Sequence, residues 1–69
     1  MIQFPDRLIE LRTEKHLSQA VVAQAAQITT RTYQRYEAGE REPTVSTLVR
    51  MADFYGVSLD YLVGRTDRA

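Results

Sequence analysis

The sequence contains no cysteine. Disulfides and thiolate metal ligands are therefore excluded, a composition that suits a reducing cytoplasm. No apolar run is long enough for a signal peptide or a membrane span, so no membrane partner is expected. Net charge is missing too, since nine Lys and Arg balance nine Asp and Glu. General polyanion binders usually carry a basic excess, and that class is disfavoured. The chain is also short. Its 69 residues are expected to make one domain over 1–69. A domain of that size buries only about 60% of the surface its unfolded chain exposes.

Catalytic constellations are equally scarce. His16 is the single histidine, and it has no His, Cys or Ser partner at a suggestive spacing. It reads as a surface residue, not a ligand. Glu40 and Glu42 flank Arg41 in a loop, and two acids without a third ligand read as a solvated loop. There is no Ser/His/Asp set, metal cluster or Gly-rich phosphate loop. Neither an enzyme nor a metal, cofactor or small-molecule site is expected.

What is present is short helical signals with good punctuation. Pro5 suits a first helical position, and Phe4, Leu8, Leu11 and Arg12 follow at helical spacing up to about Lys15. Ser18 caps a second helix with Val22, Ala23 and Ala26 on its inner face. Thr29 caps a third, which runs to Ala38 and stops at Gly39. Pro43 and Thr44 restart the chain, and Leu48, Met51, Ala52 and Tyr55 form the stripe of a fourth helix ended by Gly56. Ser58 caps a fifth through Leu62 and Val63, closed by Gly64. Residues 65–69 read as frayed. No strand signal, repeat or linker intervenes. The short gaps between helices predict a compact all-α bundle.

Charge is uneven along this bundle. From Lys15 to Tyr36 there are three basic residues, Lys15, Arg31 and Arg35, and no acid. Only about three residues, Ala26 to Ile28, join the second and third helices, so the two must cross steeply. Ala23 and Ala26 are small enough to let the backbones approach, and Ile28 fills the angle. Tyr33, Tyr36 and Glu37 then face inward, while Thr30, Arg31, Gln34 and Arg35 form one outward strip.

From Leu8 to Gly64 the chain resembles the Cro and phage-repressor (Cro/C1) type of helix-turn-helix domain. The resemblance rests on several pieces in order. They are Arg12 late in the first helix, Ser18-Gln19 opening the second, Ala23, and the run Tyr36-Glu37-Ala38-Gly39. Pro43 follows, then Gly56-Val57-Ser58 before the last helix. The resemblance implies a five-helix, lambda-repressor-like DNA-binding domain. Its helix-turn-helix unit spans about 18–38, and its recognition helix about 29–38. It implies a transcriptional regulator, a repressor or small controller, that binds a double-stranded DNA operator as a homodimer in the cytoplasm. An antitoxin or other protein-interaction module on the same fold is the alternative. A chain of this length leaves no room for a ligand-sensing second domain, unless it is a fragment of a longer regulator.

The same resemblance assigns roles. Thr30, Arg31 and Arg35 fall at base-facing positions. Gln34 reaches either a base or a phosphate. Gln19 falls at a phosphate-binding position, helped by helix N-terminal amides. Thr29 and Thr32 are phosphate candidates, and Thr29 also has its capping role. Arg41 is a candidate for phosphate or the minor groove. Arg12 and Glu37 are implied to pair between the first and third helices, which sets aside a catalytic Glu37. Val57, Leu59, Tyr61 and Val63 are implied to build the dimer surface, with Leu62 in the core. Three positions depart from the pattern. Gln27 stands where Gly is usual and costs roughly 1 kcal/mol if φ is positive there. Tyr33 replaces an aliphatic, so its hydroxyl needs a partner. Val21 lies on a side that is often polar.

Overall fold

The computed structural model describes residues 2–69. Five helices follow one another: α1 Phe4–Glu14, α2 Gln19–Ala25, α3 Thr30–Glu37, α4 Val45–Tyr55 and α5 Leu59–Leu62. The described residues contain no strand, and none of their helices is long and apolar enough to cross a membrane.

Hydroxyl caps fix where four of the helices start. Ser18, Thr29, Thr44 and Ser58 accept from the amides of Val21, Thr32, Thr47 and Tyr61 at 3.2, 3.1, 3.2 and 3.0 Å. Each bond satisfies one of the amides that a helix start leaves without a partner. Helix α1 has no side-chain cap and begins on Phe4-Pro5, where proline lacks the amide that would otherwise need one. Gly56 ends α4 in the left-handed conformation, at φ 68°. Helix ends differ slightly from expectation. Helix α3 stops at Glu37 with Ala38 as its cap, and Val63 caps α5 instead of lying within it.

The core holds Leu8 and Leu11 of α1, Val22, Ala23 and Ala26 of the α2 region, and Tyr33 and Tyr36 of α3. Met51, Ala52 and Tyr55 of α4 and Leu62 of α5 complete it. Helix α2 packs on α3, α1 on α3 and α5, and α4 on α2 and α5. The α2–α3 corner closes with the Ile28 amide donating to the Ala23 carbonyl at 3.0 Å. Gln27 sits in that corner with φ 60°, so the position does require the left-handed region. His16, between α1 and α2, adopts φ 55° in the same way.

The C-terminal residues are docked, which corrects the expectation of fraying. The buried Arg7 guanidinium holds them, with Nη2 3.4 Å from the Thr66 carbonyl and 3.6 Å from an Asp67 carboxylate oxygen. The Ser58 amide donates to the Ala69 carbonyl at 3.0 Å. Gly64 is buried with φ 85°, and a Cβ there would run into the Ile2 carbonyl.

Candidate nucleic-acid interface

Helix α3 is amphipathic at the level of single side chains. Tyr33 and Tyr36 are buried, Arg31 and Gln34 are exposed, and Thr30, Thr32 and Arg35 are half-buried between them. Its outward strip bears two guanidinium groups and no carboxylate, because the single acid of the helix, Glu37, is turned inward. The helix start is firmly set. Thr29 accepts from the Thr32 amide, and its hydroxyl donates to Thr32 Oγ1 at 2.9 Å. Thr29 thus caps α3, and its hydroxyl orients that of Thr32.

Glu37 is the anchor. Arg12 Nε donates to Glu37 Oε2 at 2.7 Å and Nη2 to Oε1 at 3.2 Å, while Nη1 reaches the Leu17 carbonyl at 3.2 Å. The two side chains are only 19% and 8% exposed. This fork locks the end of α3 to α1 and to the α1–α2 turn. Burial alone would raise the Glu37 pKa. The bonds from Arg12 and Gln19, the adjacent Tyr33 hydroxyl and the Arg12 charge outweigh it and hold the carboxyl below its ordinary value. The Glu37 hydrogen bond in turn raises the pKa of Arg12. Burial is the main cause that raises Tyr33 and that pushes Tyr55 up to about 12. The hydroxyls of both tyrosines are buried without a hydrogen-bond partner among the described residues.

Gln19 lies at the first turn of α2 and bridges α2 to α3. Its Nε2 donates to Glu37 Oε1 at 3.1 Å, and its Oε1 accepts from Gln34 Nε2 at 3.1 Å. Sequence alone gives no sign of this link, because the two glutamines are 15 residues apart. Arg41 is exposed in the α3–α4 connection and borders a cleft of about 410 Å³ floored by Phe4, Pro5, Leu48 and Val63.

The implied dimer residues are not equally accessible. Leu59 is 41% exposed, Val57 and Val63 are half-buried, and the Tyr61 ring lies under Arg7, whose guanidinium carbon is 3.7 Å from the ring centroid. Val45 and Val49 are also exposed, one turn apart on α4, and the sequence reading missed them. Their signal was a pair of valines at i, i+4 outside the core stripe. Val21, as expected from its position, is exposed.

The helix-turn-helix family model matches residues 8–62. The chain belongs to this helix-turn-helix family. Its helix-turn-helix relatives include the SPbeta prophage-derived regulator YonR of Bacillus subtilis, 40% identical over 63 residues, which are 91% of this chain and 58% of YonR. The cryptic phage CTXphi repressor RstR of Vibrio cholerae is 34% identical over 64 residues, 93% of this chain and 58% of RstR. This chain therefore spans little more than half the length of either protein. A transcriptional regulator from Listeria innocua superposes with a TM-score of 0.87 at 33% identity, over 99% of this chain and 65% of that one. The P22 c2 repressor, solved in complex with a synthetic operator, superposes with a TM-score of 0.85 over 91% of this chain and 96% of its own. At 21% identity that likeness concerns the helix-turn-helix fold alone.

Proposed function

We propose that this chain is a sequence-specific DNA-binding transcriptional regulator, a repressor or small controller that reads a double-stranded operator. The observation that carries this is the outer face of α3, where Arg31 and Arg35 stand with Thr30 and Gln34 and no carboxylate intervenes. The names of its relatives agree with it, as transcriptional regulators and phage repressors.

In this reading α3 enters the major groove with its outward strip toward the base edges. Arg31 and Arg35 each have the fork that takes guanine O6 and N7 with two hydrogen bonds, and Thr30 offers a hydroxyl or a methyl. Gln19, Thr32 and Arg41 engage the backbone, which positions the helix without reading sequence. Acids on this face would meet phosphate, so neutrality is reached by placing the nine acids elsewhere. The work is binding and not catalysis, and it takes place on cytoplasmic DNA.

One α3 reads too few base pairs to select a genomic site, and a two-fold homodimer supplies the second. Leu59, with Val57 and Val63 beside it, is the surface we assign to that contact. A protein-interaction role on the same fold would use the exposed Val45, Val49 and Leu59 but leaves the arginine face without a task.

Selection from a random duplex pool tests the reading. A defined motif is expected, in two half-sites about one helical turn apart, with binding that weakens steeply as salt rises. Recovery of unenriched random duplex would refute it.

A further inference from the structure

Arg7 is a buried charge that the α3 face does not use. Its side chain is only 5% exposed. The guanidinium lies over the Tyr61 ring of α5, and Nη1 donates to Glu10, one turn further along α1, at 2.9 Å. Nη2 meets the tail instead, 3.4 Å from the Thr66 carbonyl and 3.6 Å from an Asp67 carboxylate oxygen. The two grips differ in kind. The Glu10 bond is short, whereas Asp67 is 97% exposed, so water and salt weaken its hold. Arg7, Glu10 and Tyr61 make a fixed clamp, and the tail is the part it can release.

The tail runs back to the start of α5. The Arg65 amide donates to the Asp60 carbonyl at 2.8 Å, and the Arg68 amide donates to the Thr66 hydroxyl at 3.3 Å. The Ala69 carbonyl then accepts from the Ser58 amide at 3.0 Å. Residues 58–69 therefore close on themselves, and Arg7 holds the returning arm. Helix α5 has only four residues, and one helical turn does not hold its own shape. Its far end is anchored by Leu62 and Gly64, both buried. Its near end has no such anchor. Val57 is half-buried, Ser58 and Leu59 are exposed, and a Cβ on the preceding Gly56 would meet nothing within 4 Å. The returning arm is what the Ser58 backbone is bonded to.

We propose that residues 65–69 are a strap, clamped by Arg7, that fixes the start of α5 and so sets how strongly the chain self-associates through Leu59 and Val57. The inference rests on the assignment of the dimer contact to α5. A two-fold contact needs the same patch in the same shape on both copies. A loosely held α5 would have to be ordered at each association, which weakens it. With the strap in place, that ordering precedes the encounter. Arg7 is then a positioning residue for assembly. A tail with a structural role alone would shift the melting temperature and leave the dimer dissociation constant unchanged well below the melt.

The test loosens the strap and leaves the core intact. Asp67→Lys turns attraction to Arg7 into repulsion, and Thr66→Val removes the hydroxyl that bonds the Arg68 amide. Hydrogen exchange at the Ser58 amide reads the strap, and sedimentation without DNA reads the dimer. In the unmodified protein the Ser58 amide should be protected, and its exchange should quicken as salt rises. Both variants should speed that exchange while the amides of α1 and α3 keep theirs. Asp67→Lys should weaken the dimer by about three-fold, and the double variant by more. Arg7→Lys keeps the charge without the planar fork and should release the strap in the same way. Unprotected Ser58 in the unmodified protein would overturn the strap. Faster exchange in the variants with an unchanged or tighter dimer would overturn its role in assembly and leave the dimer standing. An unmodified protein that stays monomeric throughout would overturn both.

Discussion

Arg12 and Glu37, 25 residues apart in sequence, meet as a two-bonded fork at 2.7 and 3.2 Å with little water at either end. The pair sets where α3 ends relative to α1, and through Glu37 it also holds Gln19. Removing one member strands a charge in a largely buried place, at a cost of about 3–5 kcal/mol. For a domain of this size, each 1 kcal/mol corresponds to about 4–8 °C. Arg12→Met and Glu37→Leu should each lower the melting temperature by 10 °C or more on that scale. The double variant should lose less than the sum, because neither charge is left alone. Thermal melts of the four proteins measure the coupling, and additive losses would contradict it.

The acid and alkaline limbs of stability should have separate origins. The folded Glu37 pKa lies below its ordinary 4.5, so the unfolded chain takes up the proton first. The stabilisation is complete above about pH 4.5 and is lost as pH falls through the folded value. The Arg12→Met, Glu37→Leu double variant should lack this part of the acid limb. Tyr33 and Tyr55 are raised from 10.0, chiefly by burial, so their neutral forms belong to the folded state. Their contribution is full below pH 10 and declines as pH rises above it. Tyr55→Phe should flatten the decline. At neutral pH it should change stability by less than about 1 kcal/mol, since its hydroxyl makes no hydrogen bond among the described residues. Denaturant titrations across pH check both limbs.

Gln27 and His16 hold positive φ, at 60° and 55°. A residue with a Cβ is strained there by about 1–2 kcal/mol, and the greater freedom of glycine in the unfolded chain returns part of that. Gln27→Gly should therefore raise the melting temperature by a few degrees. Gly64→Ala should do the reverse and by more, because its Cβ would strike the Ile2 carbonyl. Melts of these two variants give the signs directly.

Much of this arrangement was legible in the sequence because it is local. Ser18, Thr29, Thr44 and Ser58 announce helix starts through chemistry that acts within three residues, and Gly56 announces an end. The inward face of α3 follows from helical spacing alone, so its outward strip was legible too. What stayed hidden depends on partners far along the chain. Arg7 looks like any surface cation, yet it is 4% exposed between Glu10, Tyr61 and the C-terminal residues. The tail reads as polar and frayed until Arg7 is seen to hold it. The Gln19–Gln34 bond has no sequence signature, since it exists only once α2 and α3 cross. His16 at φ 55° was missed because nothing in its residue type requires that conformation.

Assembly can be perturbed apart from folding. Leu59 is 41% exposed at the first turn of α5, so a charge there should leave the monomer intact. Leu59→Glu is expected to weaken self-association and lower operator affinity while the circular dichroism stays unchanged. Sedimentation of both proteins over a concentration series checks this. An unmodified protein that remains monomeric and binds a single half-site with full affinity would contradict the dimer.

The central claim is that the arginines of α3 read bases, and fluorescence anisotropy on the selected duplex tests it most directly. Arg31→Ala and Arg35→Ala should each weaken binding to that duplex by about 1–3 kcal/mol, roughly 5- to 150-fold, and relax the preference at one base pair apiece. Their melting temperatures should stay near that of the unmodified protein, since Arg31 is exposed and Arg35 half-buried, outside the core. Unchanged affinity and unchanged preference in both variants would contradict the account.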